Sequence, residues 1–273
     1  MPELPEVETV RSGLEKILRD DPVIEEIELK RADIRFPIPQ DLPRVLKGQR
    51  VERVRRRAKY LLIDTPKGTL LNHLGMTGSW RLVNAGEEDI HDHCYIRLGS
   101  GRRLAFRDPR RFGMLDLIKP GQESSHVRLK GLGVEPLDAI SFHGEFLHAI
   151  SRKRKIAIKV FIMDQRVVVG VGNIYASEAL FRAGLKPTRA AGRLSRHEAD
   201  RLALACRSVL EEAILAGGSS IRDYRQAGGE EGGFQHAHQV YDRGGEPCRV
   251  CGAKIRSKVI GGRSTYWCPK CQK

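Results

Sequence analysis

Tyr60-Leu61-Leu62-Ile63-Asp64-Thr65-Pro66-Lys67-Gly68-Thr69-Leu70-Leu71-Asn72-His73-Leu74 holds two short apolar runs separated by Pro66-Lys67-Gly68. Runs of this length, bounded by turn residues, read as neighbouring strands. The pattern recurs outward in both directions. Val23-Ile24-Glu25-Glu26-Ile27-Glu28-Leu29 lies upstream, Tyr95-Ile96-Arg97-Leu98 downstream, and Gly99-Ser100-Gly101 is a further turn. Strand and turn alternate to about residue 135, a rhythm that predicts an antiparallel sandwich or barrel. A helix leads into it. Pro5, Glu6 and Glu8 suit a first turn, where proline fits and acids complement the helix dipole. Val7, Val10, Leu14, Ile17 and Leu18 then follow helical spacing. Beyond a linker around Gly131-Leu132-Gly133-Val134-Glu135-Pro136 the pattern turns helical. Ser195-Arg196-His197-Glu198 forms a capping box, and Leu202, Cys206, Val209, Leu210 and Ala213 share one face until Gly217-Gly218 stops the helix.

Charge narrows the class of partner. Lys and Arg total 48 against 34 acidic residues, a formal charge of +14 in 273 residues. Such a balance favours a polyanion. Basic residues cluster at Arg53-Arg55-Arg56-Arg57-Lys59, at Arg107-Arg110-Arg111 and at Arg152-Lys153-Arg154-Lys155-Lys159. From Cys248 to Lys273 there are seven basic residues and no acidic one. No signal peptide and no apolar run of bilayer length is evident, so a cytoplasmic, nucleic-acid-associated monomer is expected, with no membrane partner.

Six cysteines divide cleanly. Cys248-x2-Cys251 and Cys268-x2-Cys271, sixteen residues apart, have the spacing of a four-thiolate zinc site, which leaves no open position and is therefore structural. Cys206 falls on the apolar helix face and Cys94 in a strand. Between the last helix and the cysteine pairs, residues 216–234 contain six glycines, a composition that suits either a tether or a lid over an extruded base. His236-Ala237-His238 is read as structural. Gly170-Val171-Gly172-Asn173-Ile174-Tyr175 lacks the third glycine of a dinucleotide fingerprint; it fits a glycine turn whose N–H groups and Asn173 amide hold a backbone phosphate.

Chemistry concentrates at Met1-Pro2-Glu3-Leu4-Pro5-Glu6. Removal of Met1 would leave Pro2 with a free secondary amine. An α-amino group titrates at about 7.7–8.0, against about 10.4 for lysine, and so offers more neutral nucleophile at neutral pH. A secondary amine attacking a sugar aldehyde carbon gives a permanently cationic iminium, an electron sink for elimination. Glu3 is the adjacent candidate general acid.

PELPEVET, residues 2–9, resembles the start of formamidopyrimidine-DNA glycosylases. So do Arg57-Ala58-Lys59-Tyr60-Leu61-Leu62, His73-Leu74-Gly75-Met76-Thr77-Gly78, Asp108-Pro109-Arg110-Arg111-Phe112-Gly113, Gly170–Glu178 (GVGNIYASE), and the zinc finger with Gly262-Arg263 before its second cysteine pair. The matches run in order from residue 2 to 271. The resemblance implies an α+β multidomain chain: an N-terminal catalytic antiparallel β-sandwich with a leading helix (1–135), a linker (136–150), a helix-two-turn-helix domain with a lesion-capping loop at 216–234 (151–234), and a C-terminal β-hairpin zinc finger (235–273). It implies a bifunctional glycosylase and abasic-site lyase acting on double-stranded DNA with oxidised purines, with one zinc.

Residue by residue, the resemblance places Pro2, Glu3, Lys59 and Arg263 in the catalytic set, the last two through phosphate contacts, with Glu6 as support. His73, His91, Arg110, Asn173 and Lys155 become DNA contacts. Met76, Arg110 and Phe112 become the wedge that replaces an everted base, Arg110 offering a donor-only fork to the orphaned cytosine. Ser219, Ser220, Ile221, Arg222 and Tyr224 surround the damaged base. Leu4 and Arg110-Arg111-Phe112 favour the oxidised-purine branch over endonuclease VIII enzymes, which prefer oxidised pyrimidines and typically have glycine in place of Leu4. A non-catalytic zinc-ribbon nucleic-acid-binding protein is the alternative from another class.

Overall fold

The computed structural model describes residues 1–84, 86–219 and 232–273. They form two compact units, Met1–Lys130 with Ala216–Gly233, and Gly131–Leu215 with Phe234–Lys273.

The first unit opens with helix α1 (Leu4–Asp20), which leads into strand β1 (Val23–Leu29). A short helix α2 (Leu42–Leu46) follows, then β2 (Gln49–Arg50), β3 (Arg53–Arg57), β4 (Tyr60–Thr65), β5 (Gly68–His73), β6 (Ser79–Val83), β7 (Asp92–Leu98), β8 (Arg103–Arg107) and β9 (Met114–Ile118). One sheet has the order β2-β1-β7-β8-β6 and the other β3-β4-β5-β9, with every pairing antiparallel. Apolar residues of both sheets, among them Ile24, Ile96 and Phe106 on one and Leu61, Leu70 and Leu115 on the other, join one core. The buried stripe of α1, Val7, Val10, Leu14 and Leu18, belongs to the same core, and each such side chain contributes about 1.5–3 kcal/mol by leaving water. The sandwich and its leading helix therefore form as the alternation implies.

β3 is an edge strand, and its arginines blunt that edge. They are also largely neutralised. Arg53 and Arg55 both reach Asp64 at 2.6 Å, Arg55 reaches Glu123 at 2.7 Å, and Arg56 reaches Glu8 at 2.9 Å. Arg53, Arg55 and Arg56 are thus engaged by carboxylates, which offsets much of the charge that this strand contributes.

The second unit contains α3 (Gly144–Ser151), α4 (Ile158–Met163), α5 (Asn173–Arg182), α6 (Arg196–Leu215) and the hairpin β10 (Arg256–Ile260) with β11 (Arg263–Trp267). The capping box of α6 is present: Glu198 accepts from the Ser195 N–H at 2.9 Å, and its own N–H donates to Ser195 Oγ at 3.3 Å. Leu202, Cys206, Val209, Leu210 and Ala213 are all buried along α6, which ends at Gly217 and Gly218 in left-handed conformations. α5 is buried from Ile174 through Leu180 and packs against α4, α6 and β11. No helix among the described residues is long and apolar enough to cross a membrane.

Candidate active site and DNA-contacting surface

α1 begins by a reciprocal capping box. Glu6 Oε2 accepts from the Glu3 N–H at 2.8 Å, and the Glu3 carboxylate accepts from the Glu6 N–H. This pins the first residues against the sandwich: Pro2, Glu3 and Glu6 are all buried, while Met1 stays exposed. The other Glu6 oxygen, Oε1, accepts from the Ser219 N–H at 2.8 Å. One carboxylate therefore joins the chain's start to the base of the glycine-rich segment 213 positions later. Gly218, with φ of 81°, lies so close that an added Cβ would stand 3.0 Å from Glu6 Oε1. Ser220, Ile221, Arg222 and Tyr224 lie outside the described residues.

The amino terminus sits among charges. Burial pulls the Met1 amine below its ordinary value, Lys59 and Arg110 push it the same way, and Glu3 and Glu6 oppose them. Lys59 is buried in the two-residue turn between β3 and β4. The preceding Ala58 has a φ of 56°, a conformation that costs a non-glycine residue about 1–2 kcal/mol, and it aims the lysine inward from an edge hairpin.

Met76, Arg110 and Phe112 stand on two turns tied through one carboxylate. Asp108 is fully buried; its Oδ1 accepts from Thr77 Oγ1 at 2.6 Å and its Oδ2 from the Gly113 N–H at 2.7 Å. The Arg110 N–H donates to Thr77 Oγ1 at 3.2 Å. The Asp108 carbonyl accepts from Arg111 N–H and His93 Nε2, and its N–H donates to the carbonyl of His91, which places His91 beside this turn. Gly75, at φ of 67°, packs so tightly that an added Cβ would meet the Phe112 backbone at 2.3 Å. Met76, Arg110 and Phe112 emerge exposed from this braced pair of turns, with the Arg110 guanidinium 5.1 Å from the Phe112 ring centre. An exposed methionine and phenylalanine held by buried polar bonds are not core residues. The His73 ring lies 5.0 Å from that of Tyr60, and its Nδ1 accepts from the Gly75 N–H at 2.9 Å. Burial and the cations Lys59, Arg35 and Arg128 push its pKa down to about 4.

The second unit carries another cluster. Asn173 is the first residue of α5. Its Oδ1 accepts from Lys159 Nζ at 2.5 Å, and its Nδ2 donates to the Ser264 carbonyl at 3.0 Å, which uses one of its two amide protons. Lys159 is fully buried and also reaches Thr265 Oγ1 at 2.7 Å. The sequence groups Lys159 with the basic cluster that begins at Arg152; its actual position, bonded to Asn173 and to the strand that carries Arg263, depends on partners more than a hundred residues away. Arg263 is exposed just after Gly261 and Gly262, both in left-handed conformations as a tight hairpin requires. Lys155 is exposed between α3 and α4. Sequence reasoning also gave no role to Glu178, a buried carboxylate that accepts the N–H groups of Gln239, Val240 and Tyr241 at 2.9, 3.0 and 2.8 Å. His238 is buried between the rings of Phe234 and Tyr241, and His236 is exposed.

The sulfur atoms of Cys248, Cys251, Cys268 and Cys271 all lie within 4.8 Å of one another, and two pairs are 3.9 and 3.4 Å apart. Tetrahedral thiolates at about 2.3 Å from zinc stand about 3.8 Å apart, so the four fit one structural zinc. Burial and the neighbouring thiols push Cys271 up, a crowding that a bound cation relieves.

Residues 1–115 match the formamidopyrimidine-DNA glycosylase N-terminal domain, residues 132–225 the H2TH domain of the same enzymes, and residues 245–273 the zinc finger found in FPG and IleRS. The chain belongs to the formamidopyrimidine-DNA glycosylase family. It is 53% identical over 273 residues, the whole of both chains, to the formamidopyrimidine-DNA glycosylase of Bdellovibrio bacteriovorus. Among solved structures it resembles a Lactococcus lactis FPG variant in complex with Fapy-dG-containing DNA (TM-score 0.91, 34% identity, 100% of both chains). It also resembles L. lactis Fpg in complex with abasic-site DNA (TM-score 0.90, 34% identity, 99% of both chains). The formamidopyrimidine-DNA glycosylase sandwich, H2TH helices and cysteine finger all have counterparts in the elements described above.

Proposed function

We propose that this DNA glycosylase of base excision repair excises oxidised purines, 8-oxoguanine opposite cytosine and formamidopyrimidines, and then cleaves the abasic site. The observation that carries the reading is the buried start of α1, where the amino terminus stands beside Glu3, Glu6 and Lys59. With Met1 removed, the Pro2 nitrogen bonds to C1′ of the everted nucleoside as the bond from C1′ to the damaged base breaks. Glu3 delivers a proton to the ring oxygen, and the opened sugar becomes an iminium on Pro2. Loss of a C2′ proton releases the 3′ phosphate, and a second elimination releases the 5′ phosphate. Lys59 and His73 in the first unit, and Asn173 and Arg263 in the second, hold backbone phosphates. Met76 and Phe112 fill the stack, and Arg110 reads the orphaned cytosine. His91 and Lys155 complete the DNA contacts, and Ser219 stands beside the damaged base. Zinc, when bound, supplies folding free energy to the finger that presents Arg263. The working place is the cytoplasm, on nucleoid DNA.

Borohydride trapping tests the nucleophile. Processed protein should crosslink to an 8-oxoguanine duplex, whereas protein with a residue added before Pro2 should neither crosslink nor release base, yet still bind DNA. Equal crosslinking by the blocked protein would move the nucleophile to a lysine.

A further inference from the structure

We propose that Arg35 and Arg128 form an additional phosphate-binding pocket for a DNA backbone phosphate, at the nucleotide step held by Phe112. The inference rests on the reading above that DNA lies across the wedge.

The pocket belongs to the first unit and encloses about 220 Å³, lined by Arg35, Phe36, Tyr60, His73, Phe112 and Arg128 together with Met114. Both guanidiniums rest on the Phe36 ring, Arg128 with its central carbon 3.9 Å from the ring centre and Arg35 at 5.4 Å. Stacking of this kind preorganises the planar fork and lowers the entropy lost when it binds an anion. The Arg35 N–H bonds the Gly113 carbonyl at 3.3 Å, which ties this arginine's backbone to the wedge turn.

Three observations point to an anion. Neither arginine has a carboxylate partner among the described residues, in contrast to the paired arginines of β3. Arg128 Nε is buried with its hydrogen-bond capacity unmet, a cost that a phosphate oxygen removes. The charged groups that act on His73 are all cations, Lys59, Arg35 and Arg128, so the pocket concentrates positive charge. Size selects the ligand. Sites for small organic molecules usually enclose about 300–1,000 Å³, more than this pocket offers, whereas a phosphodiester needs only its charged oxygens inside. Phe112 lines the pocket and stands exposed on the wedge turn, which fixes the location along the duplex.

The experiment is a salt titration of affinity for a duplex containing a tetrahydrofuran abasic analogue, comparing wild type, Arg35→Ala, Arg128→Ala and Arg128→Lys. Each alanine variant should reduce the magnitude of the slope of log K against log [NaCl] by about 0.9, the value for one phosphate contact, and Arg128→Lys should restore most of it. In wild-type protein, methylphosphonate substitution at one phosphate beside the wedge should produce the same loss, with no further loss when combined with Arg128→Ala. Unchanged slopes in both alanine variants, or losses that add at every methylphosphonate position, overturn the proposal and leave the cluster as a packing feature. Borohydride crosslinking run in parallel separates the two ideas. Normal crosslinking with an unchanged slope sinks only this pocket, and absent crosslinking by wild type sinks the glycosylase reading beneath it.

Discussion

In the function proposed above, Arg110 is the side chain that reads the base opposite the lesion. Its guanidinium is exposed beside Phe112, and its backbone is held by Thr77. Two hydrogen bonds to cytosine O2 and N3 are worth about 1–3 kcal/mol, a ten- to hundredfold preference, and adenine cannot accept both because its pairing edge carries a donor amino group. Arg110→Ala should therefore lower single-turnover excision opposite cytosine more than opposite adenine and narrow their ratio. Parallel losses on both duplexes would reduce Arg110 to a phosphate or stacking contact. At this scale the sequence was informative where chemistry is local: the two cysteine pairs were readable as one metal site from residue type and spacing alone. Lys159 and Glu178 were not, because a buried charge announces itself only through partners distant in the chain.

At the scale of elements, the finger hairpin shows what metal and glycine each do. Gly261 has φ of 57°, and an added Cβ would press Val160 at 2.7 Å, so the hairpin tip packs against α4 by virtue of a missing side chain. Zinc closes the other end. Chelation or Cys248→Ser should unfold the finger and displace Arg263, weakening binding to every sequence and flattening its salt dependence. A metal-free protein of unchanged affinity would contradict this. The strands around the Pro66-Lys67 turn and the capping box of α6 were legible because each is set by near neighbours. The pairing order β2-β1-β7-β8-β6 was not, since it joins strands separated by intervening chain.

Across the whole molecule, two histidines place an acid limit on stability. Burial is the leading cause that lowers His73, in the first unit, and His238, in the second, from about 6.5 to about 4. Above about 6.5 both are neutral whether folded or not. As pH falls from 6.5 towards 4 the unfolded chain binds protons that the folded chain refuses, and stability drops; below 4 both states are protonated and the loss levels off. Melting temperature measured from pH 7 to 4 should fall less steeply in His73→Gln than in wild type, and identical profiles would remove His73 from the account. Phosphate binding beside His73 should raise its pKa, which an NMR titration with and without DNA would detect. The grouping of Ser219 with the sandwich, and not with the helices that precede it, was beyond the sequence because a contact spanning the chain, from Glu6 to Ser219, joins them.

Asp108 has a consequence for redesign. Its two oxygens hold the Thr77 turn and the Gly113 turn together, so Met76 and Phe112 share one support although they lie far apart in the chain. A segment transplanted from a relative to alter lesion preference will import only half of that support if it carries residues 108–113 alone. The two turns should be exchanged as a pair, with the acceptor and its threonine from the same donor, or the graft will leave Met76 and Phe112 without their common support.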